Sequence, residues 1–245
     1  STLPFEQHRD LFYLSGVDQE ETILVLCPDA KDPKQREMVF VRETNAHIAV
    51  WEGHKLTKSE ATAVTGIENV QWTADFEASF LELTKQVENI YINTNEHYRA
   101  KVETQTREDR FIAWCKEQFP KKNYEKSNFI LQGLRGVKDP EEIAHIQQAC
   151  DITEKGFRRI LGFVKPGVWE FEIEAEFSHE FLSNRSKGFA YTPIIASGAN
   201  SNVLHYIENS QQCKAGELIL MDVGAEYGNY ASDMTRTIPV SGRFT

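Results

Sequence analysis

Residues 218–239 read LILMDVGAEYGNYASDMTRTIP, and this stretch decides the fold of the chain. Leu218–Val223 is an apolar run of strand length, Tyr227-Gly228 is a hairpin signal, and 229–239 returns as the partner strand. Asp222 interrupts the apolar run, where a carboxylate is costly unless it is paired, hydrogen-bonded or bound to a metal. Asp233 follows eleven positions later, about 36 Å away if the strand ran straight on. A two-residue loop at Tyr227-Gly228 folds the segment back instead, pairing 226 with 229, 225 with 230 and finally 222 with 233. The two aspartates then face each other on one side of the sheet, their Cβ atoms about 5 Å apart. Bare carboxylates at that spacing repel; a pair of divalent cations about 3.5–4 Å apart turns the repulsion into binding. Taken alone, the residues fit a plainer reading equally well, as carboxylates that lie near a turn or that pair with Arg236. An oxygen-only ligand set favours Mn²⁺ or Mg²⁺, and a joining histidine admits Zn²⁺ or Co²⁺.

Working upstream, residues 194–197 read as a further strand, with Gly198-Ala199-Asn200 as the turn that leaves it. His205 lies in the loop beyond. A lone histidine is more often a surface or core residue; in a catalytic role it would donate a hydrogen bond to a developing oxyanion. Two amphipathic helices precede this strand. The first opens at Lys138-Asp139-Pro140-Glu141-Glu142, with Asp139 as cap, Pro140 in the first helical position and two glutamates at the positive end of the dipole. Ile143, Ile146, Ala149, Cys150, Thr153 and Phe157 trace one face of it, and Pro166-Gly167 stops it near Val164. The second runs from about Glu170 to Arg185.

The first half reads as α/β. Strands are expected over 22–27 and 37–42 about a turn at Asp32-Pro33, and over 90–92. A helix capped by Asp75 carries Phe76, Phe80, Leu81 and Leu83, and another spans 106–119 before Pro120. Polar Lys121-Lys122-Asn123 and the breakers Gly133 and Gly136 mark a boundary between a domain over 1–125 and a second over 130–245. With 15 Phe and 4 Trp in 245 residues, the chain can fill the core of two such domains. A net charge of −10 argues against nucleic acid and anionic membranes as partners. Cys27, Cys115, Cys150 and Cys213 form no CxxC pair, which disfavours a zinc knuckle or a thioredoxin-type site. Their scatter suggests free thiols in a reducing compartment, so a cytoplasmic location is expected. No apolar run approaches the roughly 20 residues that span a bilayer. The opening Ser1-Thr2-Leu3, without Met, reads as a chain that has lost its true beginning.

Four motifs together carry a resemblance: Ser197-Gly198 with Asn200; Leu204-His205-Tyr206; Gly216-Glu217-Leu218 with Leu220, Asp222 and Gly224; and Tyr230 with Ser232-Asp233 and Thr235-Arg236-Thr237. In order and spacing they resemble the metallopeptidases of the pita-bread family, and within it the Xaa-Pro aminopeptidases (aminopeptidase P) and prolidases. Lys138 with Pro140-Glu141-Glu142-Ile143 resembles the opening helix of their catalytic domain, and 10–17 resembles their N-terminal domain. The resemblance implies an α/β N-terminal domain of creatinase/prolidase type, followed by an α+β pita-bread catalytic domain of which only the first half is present. It implies two divalent metals, most simply Mn²⁺, held by two Asp, one His and two Glu. Asp222 would hold one metal, Asp233 would bridge both, and His205 would touch substrate. Trp51, which by itself reads equally as a packing residue, resembles a tryptophan that reaches the active site of a neighbouring subunit, so a homo-oligomer is expected. The expected activity is removal of the N-terminal residue before proline in peptides, with a dipeptide-only prolidase as the alternative. A non-catalytic pita-bread binding module is a third reading, which retention of Asp222, Asp233 and His205 disfavours. The remaining His and Glu ligands are expected after residue 245, from a separate chain or a missing segment, and residues 1–245 alone are expected to be inactive.

Overall fold

The computed structural model describes residue 5, residues 7–45, residue 48, residues 54–94 and residues 105–244; Trp51 lies outside them. The chain divides into two units, Ser1–Val137 and Lys138–Thr245.

The first unit contains α1 (Arg9–Ser15), β1 (Ile23–Leu26), β2 (Glu37–Val41), α2 (Lys58–Thr65), β3 (Val70–Trp72), α3 (Phe76–Thr84), β4 (Asn89–Ile92), α4 (Arg107–Gln118), β5 (Asn123–Lys126) and α5 (Asn128–Gly136). Met38, Val39, Phe40 and Val41 are four consecutive buried residues. A strand alternates its side chains, so such a run must be covered on both faces. β2 is accordingly the middle strand, antiparallel to β1 and parallel to β3. Met38 and Phe40 pack with Leu83 of α3, whereas Val39 and Val41 pack with Ala61 of α2. An aromatic cluster of Phe76, Phe80, Phe111, Trp114 and Phe119 closes α3 against α4 and joins the β2 core through Phe76, which meets Phe40 edge-on.

Two local expectations change here. Asp75 makes no capping bond, because Thr73–Asp75 already forms a 3₁₀ turn and gives Asp75 a helical backbone that cannot reach back. The polar stretch after Pro120 is also regular: β5 pairs in parallel with β4, and α5 follows. Three of the four β5 side chains are exposed, so its polarity hid the strand, and the glycines of α5 sit at exposed positions, where each costs about 1 kcal/mol without breaking the helix.

The second unit contains α6 (Pro140–Phe163), α7 (Glu170–Ser183), β6 (Ile194–Ser197), β7 (Leu218–Val223), β8 (Glu226–Tyr227), β9 (Tyr230–Ala231) and β10 (Met234–Pro239). Asp139 caps α6 in a reciprocal capping box with Glu142. The sheet has the order β10-β7-β6 and is antiparallel throughout. Ile219, Met221 and Val223 of β7 are buried with Ile152, Ile160, Phe177 and Phe181 of the two helices, so Leu220 and Asp222 project from the opposite face.

The hairpin register differs from the expected one by two residues. Tyr227 pairs with Tyr230, Glu226 with Ala231 and Asp222 with Thr235. The two loop residues are Gly228 and Asn229, at φ 57° and 66°. A two-residue turn of this hand needs positive φ at both positions, which Gly and Asn adopt readily and Tyr227 does not. Asp222 and Asp233 are therefore diagonal rather than opposed. A shift of two keeps every side chain on its face, so both remain on the same side of the sheet.

Among the described residues no helix is long and apolar enough to cross a membrane. Burial pushes the Cys115 thiol up from its ordinary 9.0 to about 11. Cys213 also rises to about 11, chiefly through burial and against a hydrogen bond with Ser197 that lowers it. A group whose folded value is raised contributes stability in full below its unfolded value and loses it as pH climbs to the folded one. The urea midpoint should hold to about pH 8.5 and fall between about 9 and 11. A Cys115→Ala/Cys213→Ala variant, compared across the same pH series, should show a shallower fall.

Candidate metal centre

Tyr191 joins the two aspartates. Its hydroxyl lies 2.5 Å from Asp222 Oδ1 and 3.2 Å from Asp233 Oδ1, so its single proton serves the nearer carboxylate. Asp222 is half-buried and Asp233 exposed. The Tyr191 phenol is raised far above its ordinary value, first by burial and then by its bond to Asp222 and the charges of both carboxylates.

The fold delivers this phenol by an irregularity in the ladder. Phe189 bridges Ala225, and Ile194 pairs with Asp222, so residues 190–193 lie opposite Val223 and Gly224 alone. The surplus bulges outward, and Tyr191 leads it. Asn209 holds the far side: its Nδ2 donates to Pro193 O at 3.0 Å, and Ile195 N donates to its Oδ1 at 3.0 Å. Gly224 makes the approach feasible, since a Cβ there would lie 3.1 Å from the Tyr191 ring and 1.9 Å from Ser232 O.

Of the plainer alternatives for the aspartates, pairing with Arg236 is not seen. Arg236 turns its Nη1 to Thr235 O, and among the described residues neither aspartate forms an ion pair. Two carboxylates converging on one neutral donor, with no cation beside them, form a hard oxygen donor set that fits divalent metal. The set stops at two carboxylates: among the described residues no group of three or more His, Cys, Asp or Glu could hold a metal ion.

His205 sits in an exposed turn after the 3₁₀ segment Gly198–Asn202 and has no hydrogen bond among the described residues. What fixes that turn is its neighbour. Tyr206 is buried and donates to Glu170 Oε2 at 2.7 Å. Glu170 is 0% exposed and accepts three further bonds, from Ser197 N and Oγ, both 2.7 Å, and from Gln211 N at 2.8 Å. Sequence reasoning reached Asp222, Asp233 and His205 but missed Tyr191 and Glu170. Glu170 resembles an ordinary first-turn glutamate until its burial is seen. The signal for Tyr191 was Pro193, which cannot donate to a ladder and so marks the bulge ahead of β6.

Residues 144–245 match the model of metallopeptidase family M24, and residues 1–91 match that of the aminopeptidase P N-terminal domain. The two parts thus carry the fold of the pita-bread metallopeptidases with an aminopeptidase P N-terminal domain ahead of it. Among curated relatives, the Xaa-Pro aminopeptidase of Escherichia coli (strain K12) is 29% identical over 247 residues, covering 100% of this chain and 56% of its own. Xaa-Pro aminopeptidase 3 of Rattus norvegicus is 31% identical over 248 residues, covering 99% and 48%. Among solved structures, Pseudomonas aeruginosa aminopeptidase PepP matches with a TM-score of 0.89 at 25% identity, covering 99% of this chain and 55% of that one. Zinc-substituted E. coli aminopeptidase P in complex with product matches with a TM-score of 0.86 at 28% identity and the same coverage. The chain spans about half the length of these relatives.

Glu170→Gln tests the buried hub. In either orientation the new amide faces a backbone donor, Ser197 N or Gln211 N, and leaves it unpaired, while the hydroxyls of Ser197 and Tyr206 can turn to accept. One orphaned buried donor costs about 1–3 kcal/mol. Thermal unfolding followed by circular dichroism should show a melting temperature lower by several degrees, with far-UV signal retained at low temperature.

Proposed function

We propose that the protein is a metallo-aminopeptidase that releases the N-terminal residue preceding proline, with Asp222 and Asp233 as ligands of a two-metal centre. The observation that carries this reading is the convergence of both carboxylates on Tyr191, on the open face of β7 and β10, inside the segment that matches family M24. Bound there, divalent metal ions supply a water that ionises near neutral pH and positive charge for the scissile carbonyl. Mn²⁺ is the ion we favour, from the all-oxygen character of the two ligands.

The chain's own residues do the rest. Asp222 is held by the rigid centre of the sheet, and Asp233 by the hairpin neck beside it. Tyr191 orients the Asp222 carboxylate through its short hydrogen bond. His205, exposed on the turn that Tyr206 anchors, is free to donate a hydrogen bond to the substrate carbonyl as charge develops on it. The bond before proline lacks an N–H and is bent by the ring, so a dedicated site recognises a shape that general peptidases reject. A neighbouring copy would contribute Trp51 to the substrate pocket, and the remaining ligands would come from the rest of the catalytic domain. The four free cysteines support a reducing, cytoplasmic location.

The test uses the whole protein with added Mn²⁺ and two substrates, an Xaa-Pro dipeptide and an Xaa-Pro-Xaa tripeptide. The wild type should cleave the tripeptide before proline. Asp233→Ala should lose both bound Mn²⁺ and turnover. His205→Ala should keep the metal and lose about 10²–10³ in kcat. Cleavage of the dipeptide alone would make the protein a prolidase, and full metal occupancy in Asp233→Ala would overturn the ligand assignment.

A further inference from the structure

The hairpin neck between β7/β10 and β8/β9 is held by side chains where a plain ladder would use backbone. Ala225 and Ser232 stand opposite each other, and Ser232 N donates to Ala225 O at 3.0 Å. In a regular antiparallel pair the return bond runs from Ala225 N to the Ser232 carbonyl. Here Ala225 N donates instead to Thr153 Oγ1 at 2.9 Å and Ser232 Oγ at 3.0 Å. The Ser232 carbonyl has turned onto Gly224, where a Cβ would lie 1.9 Å from it. The two hydroxyls bond each other at 2.7 Å, and Thr153 Oγ1 also donates to Ala149 O one helical turn back, at 3.0 Å. Thr153 is 0% and Ser232 4% exposed, so neither hydroxyl has water as an alternative partner. One consistent assignment has Thr153 give its proton to Ala149 O and accept from Ala225 N, while the Ser232 hydroxyl has two acceptors in reach, Thr153 Oγ1 and Ala225 O at 3.1 Å.

Helix α6 thus reaches into the neck and replaces one rung of the ladder, immediately before Asp233. We propose that Thr153, acting through Ser232, is a positioning residue that sets the Asp233 carboxylate beside Asp222. Among the described residues Asp233 has no other anchor of this kind: it is exposed, lies between the two-residue β9 and the start of β10, and makes its hydrogen bond to Tyr191 at the longer distance of 3.2 Å. Asp222 needs no such device, being inside the six-residue β7 and paired on both sides, with Ile194 and Thr235. The inference rests on reading the two aspartates as metal ligands. Loss of the Thr153 hydroxyl removes the nearer of the two acceptors of Ala225 N and the hydroxyl partner of Ser232, so residue 232 is held less firmly and the pair loses the preorganisation that chelation requires.

The test measures Mn²⁺ affinity of the whole protein by electron paramagnetic resonance titration, with a thermal melt of each sample. Thr153→Val keeps the shape and removes the hydroxyl; Thr153→Ser keeps the hydroxyl and removes a methyl. Thr153→Val and Ser232→Ala should each weaken Mn²⁺ binding by about 10-fold or more, the scale of lost outer-sphere support. Thr153→Ser should bind like the wild type, whatever its melting temperature. Should Thr153→Val fail to fold, Ser232→Ala carries the same comparison. Equal affinities across wild type and variants, or equal losses in Thr153→Ser and Thr153→Val, would overturn the positioning role alone. A wild type with no Mn²⁺ affinity would overturn the metal-centre reading and this inference with it.

Discussion

Glu170 is a buried carboxylate with no ion pair among the described residues, and the arrangement of the second unit depends on how it is satisfied. An isolated charge in the interior is strongly unfavourable, so its neighbours must all be donors. Two backbone N–H groups and two hydroxyls meet it, from the end of β6, from Tyr206 and from Gln211. Those four contacts come from three places 27 to 41 residues along the chain from Glu170, and no one of them can shift without leaving the carboxylate short of a partner. The start of α7, the end of the central sheet and the turn bearing His205 are thereby tied to one point. A hydrophobic contact there would have been less directional and would have allowed the His205 turn to slide.

The sheet of this unit separates stability from chemistry by the period of the strand. Alternate residues of β7 go to the helices, where Ile219, Met221 and Val223 are buried. The residues between them, Leu220 and Asp222, face the other way. A carboxylate on the helix side would have to be desolvated fully; on the open side it shares a phenol and remains accessible to an ion. The bulge at residues 190–193 and the neck at Ala225 and Ser232 are departures from a plain ladder on either side of Asp222, and each brings one group, Tyr191 or Asp233, to that face. Local irregularity of this kind is a common way for a sheet to re-aim a side chain.

The family matches agree with this division. The M24 match begins at residue 144, one turn inside α6, and so includes the helix that supplies Thr153, both aspartates and the Glu170 hub. The first unit contributes a separate core around a doubly covered β2, and its match is to the N-terminal domain found in aminopeptidase P. The relatives share the architecture at 25–31% identity.

Much of this was legible in the residues alone. Asp139-Pro140 announced the start of α6 because capping is local chemistry, and Leu218–Val223 announced a strand because alternation and length are local too. The aspartate pair was legible as a pair on one face, since face depends only on odd or even spacing. Its register was not, because that depended on whether Tyr227 or Asn229 took the second left-handed position in the turn, and the expectation placed a tyrosine where the backbone needs Gly or Asn. Tyr191, Glu170 and the Thr153–Ser232 pair were invisible for a different reason. Each acts through a contact between segments 27 to 79 residues apart, and nothing in a local pattern distinguishes a buried glutamate or threonine from an exposed one. Sequence by itself determined the long capped helices, the apolar strands and which side of the sheet carries the carboxylates, because those follow from short-range periodicity; only the tertiary structure decided that the polar stretch after Pro120 forms a strand and a helix and which donors meet the carboxylates, because pairing, burial and hydrogen-bond partnership are properties of packed segments.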